Sequence, residues 1–166
     1  PEPLIRGGGQ EGRRRAGTEN VAGIAGFGAA ARSAQGTLAE MSRVNGIRDW
    51  LEAELVLMCS NVVVFGRGAP RLPNTIAFAV PGVAAETALM ALDLDGIAVS
   101  AGAACASGKA AASPVMAAMG VSPDLARCAI RVSLGWDTVE ADAARFVASW
   151  RNLIGRLGKA HAGQAA

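Results

Sequence analysis

Apolar residues recur every three or four positions between residues 37 and 59, at Leu38, Met41, Val44, Ile47, Leu51, Leu55 and Met58. The spacing predicts an amphipathic helix over about residues 37–59, and such a helix persists only if its stripe lies against another apolar surface. The segments that follow offer one. "NVVVF" (61–65), "NTIAFAV" (74–80), "GIAVS" (96–100) and "CAIRVSLG" (128–135) read as strands, the first two separated by a turn region with Gly66, Gly68, Pro70 and Pro73. Helices interleave with them: one near 83–93, a short "SPVMAAMG" (113–120) with Pro114 in its first turn and Gly120 at its end, and a final helix over about 138–157. A turn at "SPD" follows Gly120. The expectation is an α/β layer domain, with long helices on one face of a short sheet.

Composition limits what can fill that layer. Only 4% of the residues are aromatic and there is no Tyr, so Ala, Val, Leu, Ile and Met must build the core. Twenty-one glycines in 166 residues point to close backbone approaches and tight turns, because a chain this apolar is not disordered. A net charge of +2 is too small to argue for nucleic acid or a membrane surface. Cys59, Cys105 and Cys128 form neither a metal spacing nor an even disulfide framework, which makes a reducing cytoplasm the default compartment. No run of about 18 apolar residues and no signal peptide is visible. The sequence starts at Pro1 on a strand-like "PLI", so further chain upstream is expected.

Residues 1–17 read as a glycine- and arginine-rich loop, and a helix is expected over about 19–34, with Thr18 as N-cap and Glu19 at its positive end. That helix carries Gly23, Gly26 and Gly28, each costing about 1 kcal/mol if exposed, so tight packing against another element is expected to compensate. The loop contains G-x-G-x-x-G at Gly7, Gly9 and Gly12. It fails as a dinucleotide fingerprint: Arg13, Arg14 and Arg15 follow instead of a helix, and no acidic strand end comes about 20 residues later. Two readings stay open. Flexible glycines, guanidiniums and a helix start make an anion site, most simply for phosphate, or the loop is simply basic and solvated.

The stretch "AVSAGAACASGKAAAS" (98–113) holds one thiol, Cys105; a lone loop cysteine is commonly structural filler, but these side chains are too small to bury it, so a reactive thiol is the other reading. Cys59 and Cys128 are expected to be inert small hydrophobes. The only histidine, His161, sits in a polar tail, so a fixed Cys–His pair is not expected to ionise Cys105. Arg131 alternates with Ile130 and Val132 in the last strand, which makes it either an edge solubility device or a fork for a carboxylate. Lys109 and Lys159, the only lysines, lie in no apolar setting that suits a Schiff base.

Three segments, "GGGQEGRRRAGTEN" (7–20), "SAGAACASG" (100–108) and "IRVSLG" (130–135), together resemble the C-terminal part of the cysteine desulfurases of the NifS/IscS type, pyridoxal-phosphate enzymes of the class V aminotransferase family. "LPNTIAFAV" and "ASPVMAAMG" resemble the same family, so the likeness spans nearly the whole chain. Two departures are Gly12-Arg13, where the family often has Arg-Gly, and Pro114, where it commonly has His or Tyr.

The resemblance implies the small C-terminal domain of a fold-type-I transferase, with a short, mostly antiparallel sheet. It divides the chain into a remnant of the large cofactor domain (1–17), a connecting helix (18–35), the small α/β domain (36–160) and a tail (161–166). It implies Cys105 as the nucleophile that takes sulfur from L-cysteine as a persulfide, Arg131 as the clamp on the substrate carboxylate, and Thr18 as a contact to the cofactor phosphate across a homodimer interface. It further implies an iron–sulfur scaffold or other acceptor protein as partner, no resident metal, and Cys105 as at most a transient cluster ligand. The Schiff-base lysine would lie upstream, so the 166 residues alone are expected to be inactive. A related class V enzyme, such as a selenocysteine lyase or an aminotransferase, and a non-catalytic interaction module are the alternatives.

Overall fold

The computed structural model describes residues 2–101 and 113–164, with side chains up to Leu157. Two compact units divide the chain, Pro1–Ala39 and Glu40–Ala166.

The first unit is a closed loop followed by one helix. The Ala16 amide donates to the Ile5 carbonyl at 3.0 Å, and between them runs a 3-10 turn, Gln10–Arg13. Inside it Glu11, Gly12 and Arg13 have φ of 52°, 60° and 66°, three successive residues in the left-handed region. The "PLI" segment is no strand. Helix α1 spans Val21–Thr37, and its cap is Asn20 rather than Thr18. The Asn20 side-chain oxygen accepts the Gly23 amide at 3.0 Å. Asparagine caps at least as well as threonine, and the Thr18 carbonyl is already held in the loop by Arg15 at 2.6 Å. A Cβ on Gly23 would come within 2.5 Å of Asn20. That glycine serves the cap, not the packing against another element that the sequence suggested, and α1 buries none of its residues.

In the second unit α2 spans Met41–Met58, β1 Val63–Val64, β2 Thr75–Ala79, α3 Ala85–Leu94, β3 Ser100–Ala101, α4 Pro114–Ala118, α5 Pro123–Ala126, β4 Ala129–Ser133 and α6 Glu140–Gln164. The sheet order is β1-β2-β4-β3, and every pairing is antiparallel. Period-2 alternation sends Ile76 and Phe78 of β2 and Ile130 and Val132 of β4 to one face. There they meet the stripe of α2 (Val44, Ile47, Leu51, Leu55), Ala88 and Leu92 of α3, and Phe146, Val147 and Trp150 of α6. Trp150 is fully buried, edge-on to Phe78 at 5.1 Å. Long helices on one face of a short antiparallel sheet are the architecture expected from the sequence, while the short α4 and α5 pack on the other face through Met116 and Ala126.

Three differences have local causes. The third strand is only Ser100–Ala101, because the Ile97 and Gly96 amides are spent on the Leu92 and Asp93 carbonyls. Those two bonds, with Gly96 at φ 71°, form a Schellman cap on α3, and the strand cannot start until the cap ends. The "SPD" turn winds once as α5, since Ser122 caps the Leu125 amide and Pro123 has its φ preset. Helix α6 runs beyond residue 157 to Gln164, as alanines continue a helix easily once it has started.

Buried charge ties the β1–β2 connection down. Glu52 on α2, 5% exposed, accepts from Arg71 at 2.8 Å and from Arg67 at 2.9 Å. On α6, Ser149 donates to the Asp95 carboxylate, fastening the start of the segment that leads to β3.

Candidate functional site

The sheet face opposite the main core is lined with small residues. Ala77, Ala79 and Ala129 point there, and a modest cluster of Phe65, Met116, Ala126 and Cys128 covers one end of it. Alternation along β4 puts Arg131 and Ser133 on this side, both exposed, while Ile130 and Val132 on either side of Arg131 are buried. The side chain of Arg131 therefore stands on a nearly bare sheet.

Its cross-strand neighbours are Ala77 of β2 and Ser100 of β3. Ala77 carries only a methyl group. Ser100 carries an acceptor, and Arg131 Nη2 donates to Ser100 Oγ at 3.3 Å. Among the described residues no carboxylate pairs with Arg131, in contrast to Arg48, Arg67, Arg71 and Arg127, each of which faces an acid. A planar guanidinium without an internal counter-ion, on a surface of methyl groups, suits a carboxylate.

In the first unit Arg15 turns inward and donates to the Gly17 and Thr18 carbonyls at 3.3 and 2.6 Å. Among the described residues Arg13 and Arg14 make no side-chain bond, and the Thr18 hydroxyl, released from the capping role, makes none either. A hydroxyl and two guanidiniums without internal partners are the kinds of donor that recognise a phosphate.

Cys105 and Lys109 lie outside the described residues, as do the side chains of Lys159 and His161. The other two thiols behave as small apolar groups. Cys128 is buried, and its Sγ donates to the Asp124 carbonyl at 3.5 Å. Cys59 ends α2 beside a cavity of about 380 Å3 whose lining includes Met58, Val80, Val83 and Ile154. Burial pushes its thiol above the ordinary range, and the nearby Trp150 indole N–H, short of a full hydrogen bond, draws it only partly back. A buried thiol held protonated is a poor nucleophile. Among the described residues no group of three His, Cys, Asp or Glu side chains could hold a metal, and no helix is long and apolar enough to cross a membrane.

The Ser100 contact was not foreseen from the sequence. Alternation could place Arg131 on a face, but only the sheet order, with β3 beside β4, tells which residue stands next to it.

Comparison with known proteins adds to this geometry. The family described as aminotransferase class-V matches residues 7–146. A cysteine desulfurase of Klebsiella pneumoniae is 42% identical over 155 residues, covering 93% of this chain and 39% of that protein. The cysteine desulfurase IscS of Dictyoglomus turgidum is 43% identical over 141 residues, covering 84% of this chain and 36% of its own length. The solved structure of a NifS-like protein from Rickettsia africae matches with a TM-score of 0.80 at 33% identity, over 93% of this chain and 40% of that one. The chain thus spans about two-fifths of the length of the relatives it matches.

Proposed function

We propose that this chain, which belongs to the class-V aminotransferase family, contributes the sulfur-accepting thiol and the substrate clamp of a cysteine desulfurase of the NifS/IscS type. The observation that carries the proposal is Arg131, a guanidinium with no acid partner among the described residues, standing on a sheet face of alanines. Its fork would hold the carboxylate of L-cysteine with two parallel charge-assisted hydrogen bonds. Thr18, with Arg13 and Arg14 beside it in sequence, would hold the phosphate of pyridoxal phosphate, the cofactor of this family, in a homodimer. That cofactor supplies the electron sink that weakens the Cβ–S bond of the substrate. The Schiff-base lysine is expected in sequence beyond these 166 residues.

Cys105 is the nucleophile. Its thiolate attacks the sulfur of cysteine; the S–S bond forms, the Cβ–S bond breaks, and the bonding pair stays with carbon, which is protonated to leave alanine. The enzyme keeps a persulfide. An unperturbed thiol of pKa about 8.5 is only a few per cent ionised at neutral pH, so proximity to cationic groups would raise its reactive fraction. The persulfide sulfur would pass to an acceptor protein of iron–sulfur assembly in the cytoplasm.

The test is Cys105→Ser in the full-length protein, incubated with L-cysteine and a reductant. Loss of both sulfide and alanine, with the cofactor's absorption spectrum retained, is expected. Undiminished sulfide release would overturn the assignment.

A further inference from the structure

We infer that Ser100 is a positioning residue for the substrate carboxylate, acting through Arg131; the inference rests on the reading of Arg131 given above. Four observations lead to it. Ser100 and Arg131 are register partners across the β3–β4 pair, so their side chains leave the same face of the sheet. Arg131 Nη2 donates to Ser100 Oγ at 3.3 Å. Ala77, the partner of Arg131 on the other side, has no acceptor to offer. Among the described residues no acid competes for the guanidinium.

The physical reason is the cost of ordering a long side chain. An arginine exposed on a sheet samples many rotamers, and binding a carboxylate through a bidentate fork requires one of them. A single neutral acceptor on one terminal nitrogen limits that sampling while leaving the guanidinium's charge and its other donors for the ligand. A carboxylate at position 100 would hold the arginine more firmly but would compete with the substrate, whereas a hydroxyl positions it without neutralising it. The strand geometry keeps this hydroxyl in place: β3 is anchored through Ala101, which packs against the main core, and through the Schellman cap at Gly96.

The experiment compares Ser100→Ala, Ser100→Thr, Arg131→Ala and the Ser100→Ala/Arg131→Ala double variant in the full-length enzyme, with steady-state desulfuration of L-cysteine as one readout. A second readout is the rate of guanidinium rotation at Arg131, from NMR of the arginine-labelled protein. Loss of one hydrogen bond predicts that Ser100→Ala raises KM for cysteine roughly 3- to 10-fold, with a smaller change in kcat. Guanidinium rotation should quicken. Ser100→Thr, which keeps the hydroxyl, should restore both, and Ser100→Ala should cost nothing further once Arg131 is alanine. An equal cost of Ser100→Ala in both backgrounds, or unchanged guanidinium rotation, overturns the inference while leaving the role of Arg131 standing. If Arg131→Ala itself leaves KM unaltered, the carboxylate clamp is wrong and the role of Ser100 falls with it.

Discussion

The two faces of the sheet carry opposite kinds of residue on the same strands. One face bears Ile76, Phe78, Ile130 and Val132 beneath three helices; the other bears Ala77, Ala79, Ala129, Arg131 and Ser133. The helix-covered face holds the unit together, since large apolar groups there are removed from water. The opposite face buries a smaller cluster at one end, around Ala79, Ala129 and Met116, and at the other leaves a charged fork free to meet a ligand. A five-residue strand can do both because its side chains alternate, so Ile130 and Arg131 never compete for the same space.

Substitutions should separate the two faces. Trp150→Ala on the covered face removes a fully buried ring in contact with Phe78 and should cost about 3–5 kcal/mol of unfolding free energy in urea titrations. A loss under about 1 kcal/mol would mean that the α6–sheet layer is not the core. Glu52→Ala should cost about 3 kcal/mol, because it leaves the mostly buried Arg71 guanidinium unpaired, while Arg67 is exposed enough to recover its hydration. On the opposite face Arg131→Ala should change stability by less than about 0.5 kcal/mol yet raise KM for cysteine roughly tenfold or more. If instead it destabilises the fold as Glu52→Ala does, the distinction between the faces collapses.

The smallest effect concerns Cys59. Its thiol is raised by burial, so the unfolded chain ionises there first. The stability it lends is whole below about pH 9 and declines as pH rises through the folded value. Urea midpoints compared at neutral and alkaline pH should fall less in Cys59→Val than in the parent. An identical fall would show that Cys59 is not the group responsible.

Much of this was legible beforehand, and the reasons are particular. The stripe of α2 was visible because helical periodicity is a property of the sequence itself; only Leu38 fell outside, in a short 3-10 turn. Arg131 could be put on the polar side of β4 because alternation needs no knowledge of the neighbours. The cap of α1 is not legible, since Thr18 and Asn20 both suit the role and the choice turns on where Arg15 reaches. The third strand is shorter than its apolar pattern suggests, because a Schellman cap consumes amides that a strand pattern leaves available.

By itself the sequence determined the buried stripe of α2, the alternation along β2 and β4, and the motifs that tie the chain to its family. All of these depend on intervals along the chain. Only the tertiary structure decided that β3 lies beside β4, that Glu52 gathers Arg67 and Arg71, and that Arg131 is met by Ser100 and by no acid among the described residues. Those are contacts between residues 15 to 31 positions apart, and no local spacing specifies them. They are set by the order of strands in the sheet and by how each helix and loop settles over it.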